Sequence, residues 1–384
     1  MSPAARYHFQ RIVPYMDAMG FCLSKPSARV LLDLSDPGAP RIPLEQDLSA
    51  AARIEDTMFV ACDETASLER LMRLADGSWG AHEHLRLADY VDLPAGDDSE
   101  ADIEGLAIDG DWLWLIGSHS LKRKRPKGDP DRLRRIVRDP NRFLLARVPL
   151  IGEGPGRYRP ARAEGARRAQ WVEATPTASK LIDWLRRDEV LAPFLDIPSK
   201  ENGLDIEGLA VRGMTAWIGL RGPVIRGHAV VVEMQLKEVG HHQLKARRID
   251  GRARYRCHFL RAEGLGVRDL FFEGDDILVL VGPTLSSDGP ARLLRWVGGA
   301  NSPAPGIVNE DSLQHLAELP YHAAFDHPEA VLSWPDAGPS AVLVIYDAPS
   351  EARLRLGGVF ADVFDLGALA RPNACDGITA PVAQ

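Results

Sequence analysis

The chain has 384 residues, 45% of them hydrophobic and 26% charged, ordinary proportions for a soluble globular protein. Its formal net charge of −8 argues against a generic nucleic-acid binder, and no run approaches the ~18 consecutive apolar residues that a membrane span requires. Cys22, Cys62, Cys257 and Cys375 lie far apart with no CxxC or Cys/His zinc spacing, and the first residues lack an apolar run of signal-peptide length, so a reduced, soluble, cytoplasmic protein is expected.

Residues 7–13 and 28–34 are the first candidate strands. A hairpin pattern follows: two short apolar runs joined by a tight turn. It is faint at 49–61 and clear at 102–117, where Asp109, Gly110 and Asp111 supply the turn chemistry, and it recurs at 205–219, 266–282 and 327–346. With Glu104 as reference, the equivalent positions are Ser49, Glu207, Arg268 and Glu329. A strand-built period of roughly 50–60 residues is the mark of a β-propeller, in which each repeat is one blade. The interval from Glu104 to Glu207 is nearly twice that length. A basic loop at about 120–141 and a helical segment at about 161–202 account for the excess, which predicts an all-β propeller of five blades in a single domain over 1–384. A sixth blade hidden in that interval is the alternative.

After each hairpin a third strand alternates arginine with aliphatic residues, as at 68–74, 143–148 and 292–296, and 229–234 takes the same place. In the helical segment, Leu181, Ile182, Trp184, Leu185 and Leu191 form an amphipathic stripe with Thr177 as N-cap. The leading strands are expected to complete the last blade beside residues 353–366, closing the ring without a free edge.

Chemistry is expected where polar groups converge. In an antiparallel hairpin the start of the first strand lies beside the end of the second, and in a propeller the first strand lines the channel. Ser49 with Asp63, Glu104 with Ser118 and His119, Glu207 with Arg221, Arg268 with Gly282, and Glu329 with Asp347 should therefore surround one channel mouth. One reading is a network of Glu–Arg pairs that seals the mouth and holds the blades in register. The other is a ligand pocket. In it, Asp63, Glu104, Glu207 and Glu329 ligate a divalent cation, Ca²⁺ or Mg²⁺ before Mn²⁺, because carboxylate oxygens suit hard ions. Arg221, on a tight turn between Gly219 and Gly222, clamps an anion, and His119 and Glu207 complete the catalytic set by moving a proton and holding the ion.

The run Lys122, Arg123, Lys124, Arg125 and Lys127 leaves from the same mouth. Lys122 and Arg123, with Arg221 and Arg268, are candidate contacts to a small anionic substrate, the loop serving as a lid. Nucleic acid is the rival partner, weakened by the lack of interleaved aromatic residues. His241 and His242 adjoin on a predicted strand, where neighbours face opposite ways, and make a poor metal pair. No GxSxG, HExxH or phosphate-cradling glycine loop is present.

Glu104-Gly105-Leu106-Ala107, the run 117–123, Glu207-Gly208-Leu209-Ala210 and Gly219-Leu220-Arg221-Gly222-Pro223 together resemble a bacterial family catalogued as a domain of unknown function, over about 28–366. That resemblance implies a propeller and no defined activity. The Glu-Gly-aliphatic-Ala signature is also similar to the channel strands of esterase-like phytase and lactonase-type propellers, where it implies a divalent ion on Glu104 and Glu207 only. Arg268 and Ser49 stand where further glutamates would be expected, which favours an anion-reading pocket. The expected function is a metal-assisted hydrolase of a small phosphate or carboxylate ester; the alternative is a non-enzymatic propeller that binds a protein or nucleic-acid partner through the basic loop and the helical insertion.

Overall fold

The structure, a computed structural model, describes residues 23–36, 38, 42–96, 99–249, 253–285, 289–322 and 324–369. Five antiparallel arrays of four strands follow one another along the chain. The first is Leu48–Ile54, Thr57–Cys62, Ser67–Arg73 and Trp79–Arg86. The second is Ile103–Asp109, Trp112–Gly117, Leu145–Gly154 and Gln170–Val172. The third is Asp205–Arg212, Thr215–Ile225, His228–Val239 and Arg256–Arg261. The fourth is Gly266–Glu273, Asp276–Gly282, Ala291–Trp296 and Leu313–Leu319. The fifth is His327–Ser333, Ala341–Asp347 and Gly358–Asp365, completed by Ala28–Asp33 from the other end of the chain. The candidate strand at 7–13, Cys22 and Cys375 lie outside the described residues.

The first strands of the five arrays pack against one another in a closed ring, so they are the inner strands around a central axis. Apolar residues on both faces of the second and third strands fill the spaces between arrays: Phe59, Leu68, Leu106 and Leu115 belong to one such core, and Leu32, Met58, Leu71, Leu343 and Val359 to another. Strands buried on both faces read as near-continuous hydrophobic runs, as at 277–281.

The five reference positions of the repeat share one backbone feature. Ser49, Glu104, Glu207, Arg268 and Glu329 are each the extra residue of a register shift between the first and second strands, where two inner-strand residues face one on the partner. A β-bulge of this kind breaks strict alternation and re-aims a side chain. Here it falls at the same end of every inner strand.

The insertions differ from expectation in detail. The helix covers only Lys180–Leu185, with Ser179 rather than Thr177 at the N-cap position and no side-chain cap bond. Thr177 is part of a preceding turn in which the Thr175 hydroxyl accepts from the Thr177 and Ala178 amides. The helix stops early because the Asp188 carboxylate takes the amides of Val190 and Leu191, 2.9 and 3.0 Å away. Gln170–Val172, within the inserted interval, is the fourth strand of the second array. The basic segment is a small clasp: Lys122–Arg123 pairs with Ile136–Val137, with a short 3-10 turn at Pro130–Arg134 between them. His241 and His242 occupy a turn between strands rather than a strand.

Candidate functional site

A cavity of about 560 Å³ opens at the bulged end of the ring. Ser49, Glu104, Glu207 and Glu329 reach it from the inner strands, and Asp63, Arg221 and Asp347 from the ends of the second strands. Its two sides differ in charge balance.

On one side the acids are paired. Arg221 lies between Asp205, at 2.9 Å, and Glu207. Arg268 lies between Glu207, at 3.1 Å, and Glu329, and also donates to the Pro283 carbonyl at 3.0 Å. All these side chains are largely buried, and the surrounding carboxylates hold Arg221 and Arg268 firmly charged. A buried pair of this sort stands only because each charge has its partner.

On the other side the acids crowd together. Ligand oxygens of Asp63, Asp102 and Glu104 all lie within 4.8 Å of one another. Asp102 is held by Arg142, whose guanidinium reaches both carboxylate oxygens at 2.7 and 2.8 Å and continues to Glu100 at 2.7 Å and the Ser120 hydroxyl at 2.8 Å. Glu104 makes no ion pair, and the buried Oδ1 of Asp63 has no hydrogen-bond partner among the described residues. Burial, then the charges of Asp102, Asp347, Asp47 and Glu64, push Asp63 up to about 8. Burial and the neighbouring carboxylates also raise Glu104 well above the usual carboxylate range, and lift Asp47 to about 6. Such a group of oxygens is costly unless it is protonated or holds a cation.

Asp102 has a φ of 50°, in the left-handed region, just ahead of its inner strand. Glu263 and Asp326, at 54° and 57°, also precede inner strands and are likewise gripped by an arginine, Arg292 at 2.6 Å and Arg353 at 3.0 Å. The ring therefore contains a repeated acid–arginine brace, and among the described residues only at Asp102 does the braced acid also belong to a carboxylate cluster.

A family model described as Protein of unknown function (DUF3616) matches residues 47–362. The chain belongs to that family. No curated protein matches the sequence. Several solved structures resemble it loosely. A phage phi92 endosialidase has 9% identity and a TM-score of 0.36, over 82% of this chain and 52% of its own. The GH43 endo-arabinanase of Bacillus licheniformis has 10% identity and a TM-score of 0.37, over 87% and 96%. The WD40 propeller domain of Doa1 has 9% identity and a TM-score of 0.29, over 83% and 64%. The chain thus spans about half the length of the endosialidase. Likenesses this loose say nothing of activity.

Of the residues expected at the site, Asp63, Glu104, Glu207, Glu329, Arg221, Lys122 and Arg123 line the cavity, and Arg268 adjoins it through Glu207 and Glu329. Three expectations change. Glu207 and Glu329, taken as metal ligands, are engaged by arginines. Lys122 and Arg123, taken as substrate contacts, are fasteners: Lys122 pairs with Glu100 and lies 3.6 Å from Asp139, and Arg123 grips both carboxylate oxygens of Glu201. His119 is buried outside the cavity. Its φ of 53° turns the ring away from the mouth, edge-on to Phe143 at 5.7 Å, with Nδ1 against the Gly117 carbonyl at 2.9 Å. Burial pushes it down to about 4, so it is neutral.

Sequence reasoning missed Asp102 as a ligand and Arg142 as a buried brace. The first was signalled: Asp102-Ile103-Glu104-Gly105 and Asp205-Ile206-Glu207-Gly208 are the same motif. The second had no signal, because Arg142 closes a basic run whose other members are half-buried or exposed.

Proposed function

We propose that the protein is a five-bladed propeller that holds a divalent cation on Asp63, Asp102 and Glu104 and hydrolyses a small anionic ester at the cavity mouth. One observation carries this reading. Glu207 is paired from within the chain with Arg221, whereas Glu104, at the same position of the matching motif, and Asp63 beside it make no ion pair among the described residues. The donors are all carboxylate oxygens, which fits a hard ion such as Ca²⁺ or Mg²⁺, and the orphaned Asp63 oxygen is positioned to accept one.

Bound there, such an ion supplies Lewis-acid polarisation and lowers the pKa of nearby water. The chain's residues do the rest. A water oxygen forms the new bond to the ester's phosphorus or carbonyl carbon while the bond to the leaving oxygen breaks. The water proton passes through solvent to the leaving oxygen. Arg142 keeps Asp102 in place.

The test is metal content and affinity, by elemental analysis and calorimetry, together with turnover on a panel of phosphoesters and lactones with Ca²⁺, Mg²⁺ or Mn²⁺. Glu104→Gln and Asp63→Asn should lose both the ion and turnover; unchanged ion content in both variants removes the cation from the account. A non-enzymatic role in partner binding has one observation in its favour: Arg134 and Arg135 are exposed on the basic clasp and do not line the cavity. Salt-titrated binding to generic DNA and RNA tests that role.

A further inference from the structure

Above the carboxylate floor the cavity has a cationic rim built from two separate segments. Lys124 and Arg125 follow the short strand Lys122–Arg123, and Lys200 belongs to the 3-10 turn Ser199–Glu201. The two segments are tied together: Arg123 forks onto Glu201, and the Ser199 amide donates to the Leu121 carbonyl at 3.0 Å. Charges that are spoken for hold the rim, and charges that are not spoken for occupy it. Lys124, Arg125 and Lys200 are exposed, line the cavity and have no carboxylate partner among the described residues.

We infer that the ligand of this cavity is an organic phosphate rather than a carboxylate, its phosphate spanning the space between the rim and the floor. The inference rests on the reading of the floor as a cation site and names the substrate class for it. A carboxylate offers one charge and two oxygens in a plane. A phosphate monoester offers up to two charges and three terminal oxygens in tetrahedral directions. The second carries the charge and the oxygens to meet the Lys124–Arg125 segment, Lys200 and a floor cation at once. The remainder of the molecule has a place to go. Lys200, Arg221, Glu329 and Asp347 also line an adjoining cavity of about 230 Å³, whose other walls include Pro283, Leu285 and Tyr321, a mixed surface suited to an organic group.

The experiment compares phenyl phosphate with benzoate, which share a ring and differ in the anionic group, binding to the full chain by calorimetry with Ca²⁺ and in EDTA. With Ca²⁺, phenyl phosphate should bind at least about tenfold more tightly than benzoate, and Lys124→Gln/Arg125→Gln/Lys200→Gln should remove that preference. The exposed double variant Arg134→Gln/Arg135→Gln, outside the cavity, should leave it unchanged. Equal binding of the two probes, or a preference that survives in the rim variant, overturns the inference. Calcium bound without a phosphate preference sinks the substrate class alone. A phosphate preference that persists in EDTA and in Glu104→Gln leaves the rim assignment standing and sinks the cation site.

Discussion

Glu104 and Glu207 occupy the same bulge of the same Asp-Ile-Glu-Gly-Leu-Ala motif, yet Glu207 is bonded to Arg221 and Glu104 is not, because Ser118 stands where its arginine would be. One motif thus yields a neutralised acid in the third array and an unneutralised one in the second. The candidate cation site follows from that difference.

Removing the Glu104 charge should therefore help the ion-free protein and harm the ion-bound one. In EDTA at pH 8, Glu104→Gln should raise Tm by about 2–4 °C, through relief of repulsion among Asp63, Asp102 and Glu104. With saturating Ca²⁺ the wild type should be the more stable of the two. Calorimetric scans of both proteins in both buffers check this.

The pH dependence has a defined sign. Asp63 has its folded pKa raised from 3.8 to about 8, so its contribution to stability is fully present below about pH 4 and is lost as pH rises toward 8. Ion-free protein should lose stability across that window. Asp63→Asn should flatten the decline, and Ca²⁺, by favouring the ionised carboxylates, should do the same in the wild type. Urea midpoints at half-unit pH steps measure it.

Arg268 bridges two buried glutamates, Glu207 and Glu329, and offsets part of the burial that raises Glu329 to about 8. Arg268→Met leaves Glu329 without its partner and should cost about 3–5 kcal/mol. Arg268→Met/Glu329→Gln should recover much of that loss, because the stranded charge is gone while Glu207 keeps Arg221. Denaturant titration of the single and double variants supplies the comparison.

His119 should behave as a core residue. His119→Ala removes the edge contact with Phe143 and the bond to Gly117, for a cost of about 1–3 kcal/mol, and leaves calcium affinity unchanged. Its folded pKa is depressed from 6.5 to about 4, so its contribution is present above pH 6.5 and fades as pH falls toward 4. Denaturant titration and calorimetry of the variant, repeated at pH 7 and pH 5, test both statements.

The repeat was legible from short-range pattern: alternation of apolar residues, turn chemistry at Gly110, Gly213 and Gly274, and an acid or base at a constant offset. Because a hairpin places its strand ends side by side, that pattern was enough to bring Asp63, Glu104, Glu207, Arg221 and Glu329 to one mouth. The bulges themselves left no separate trace, since a register shift depends on pairing between strands and not on either strand alone.

Partner choice was beyond the sequence. Whether Glu207 meets a metal or an arginine, whether Lys122 or Lys124 keeps an uncommitted charge, and whether His119 faces the channel or Phe143 depend on distances between residues tens to hundreds of positions apart, and on backbone angles such as the positive φ at Asp102 and His119. The amino-acid order by itself determined a ring of hairpins with polar ends, because alternation and turns are local. Only the closed tertiary structure decided which charges cancel and which remain, because Coulomb energies inside a buried mouth are set by a few ångströms of separation.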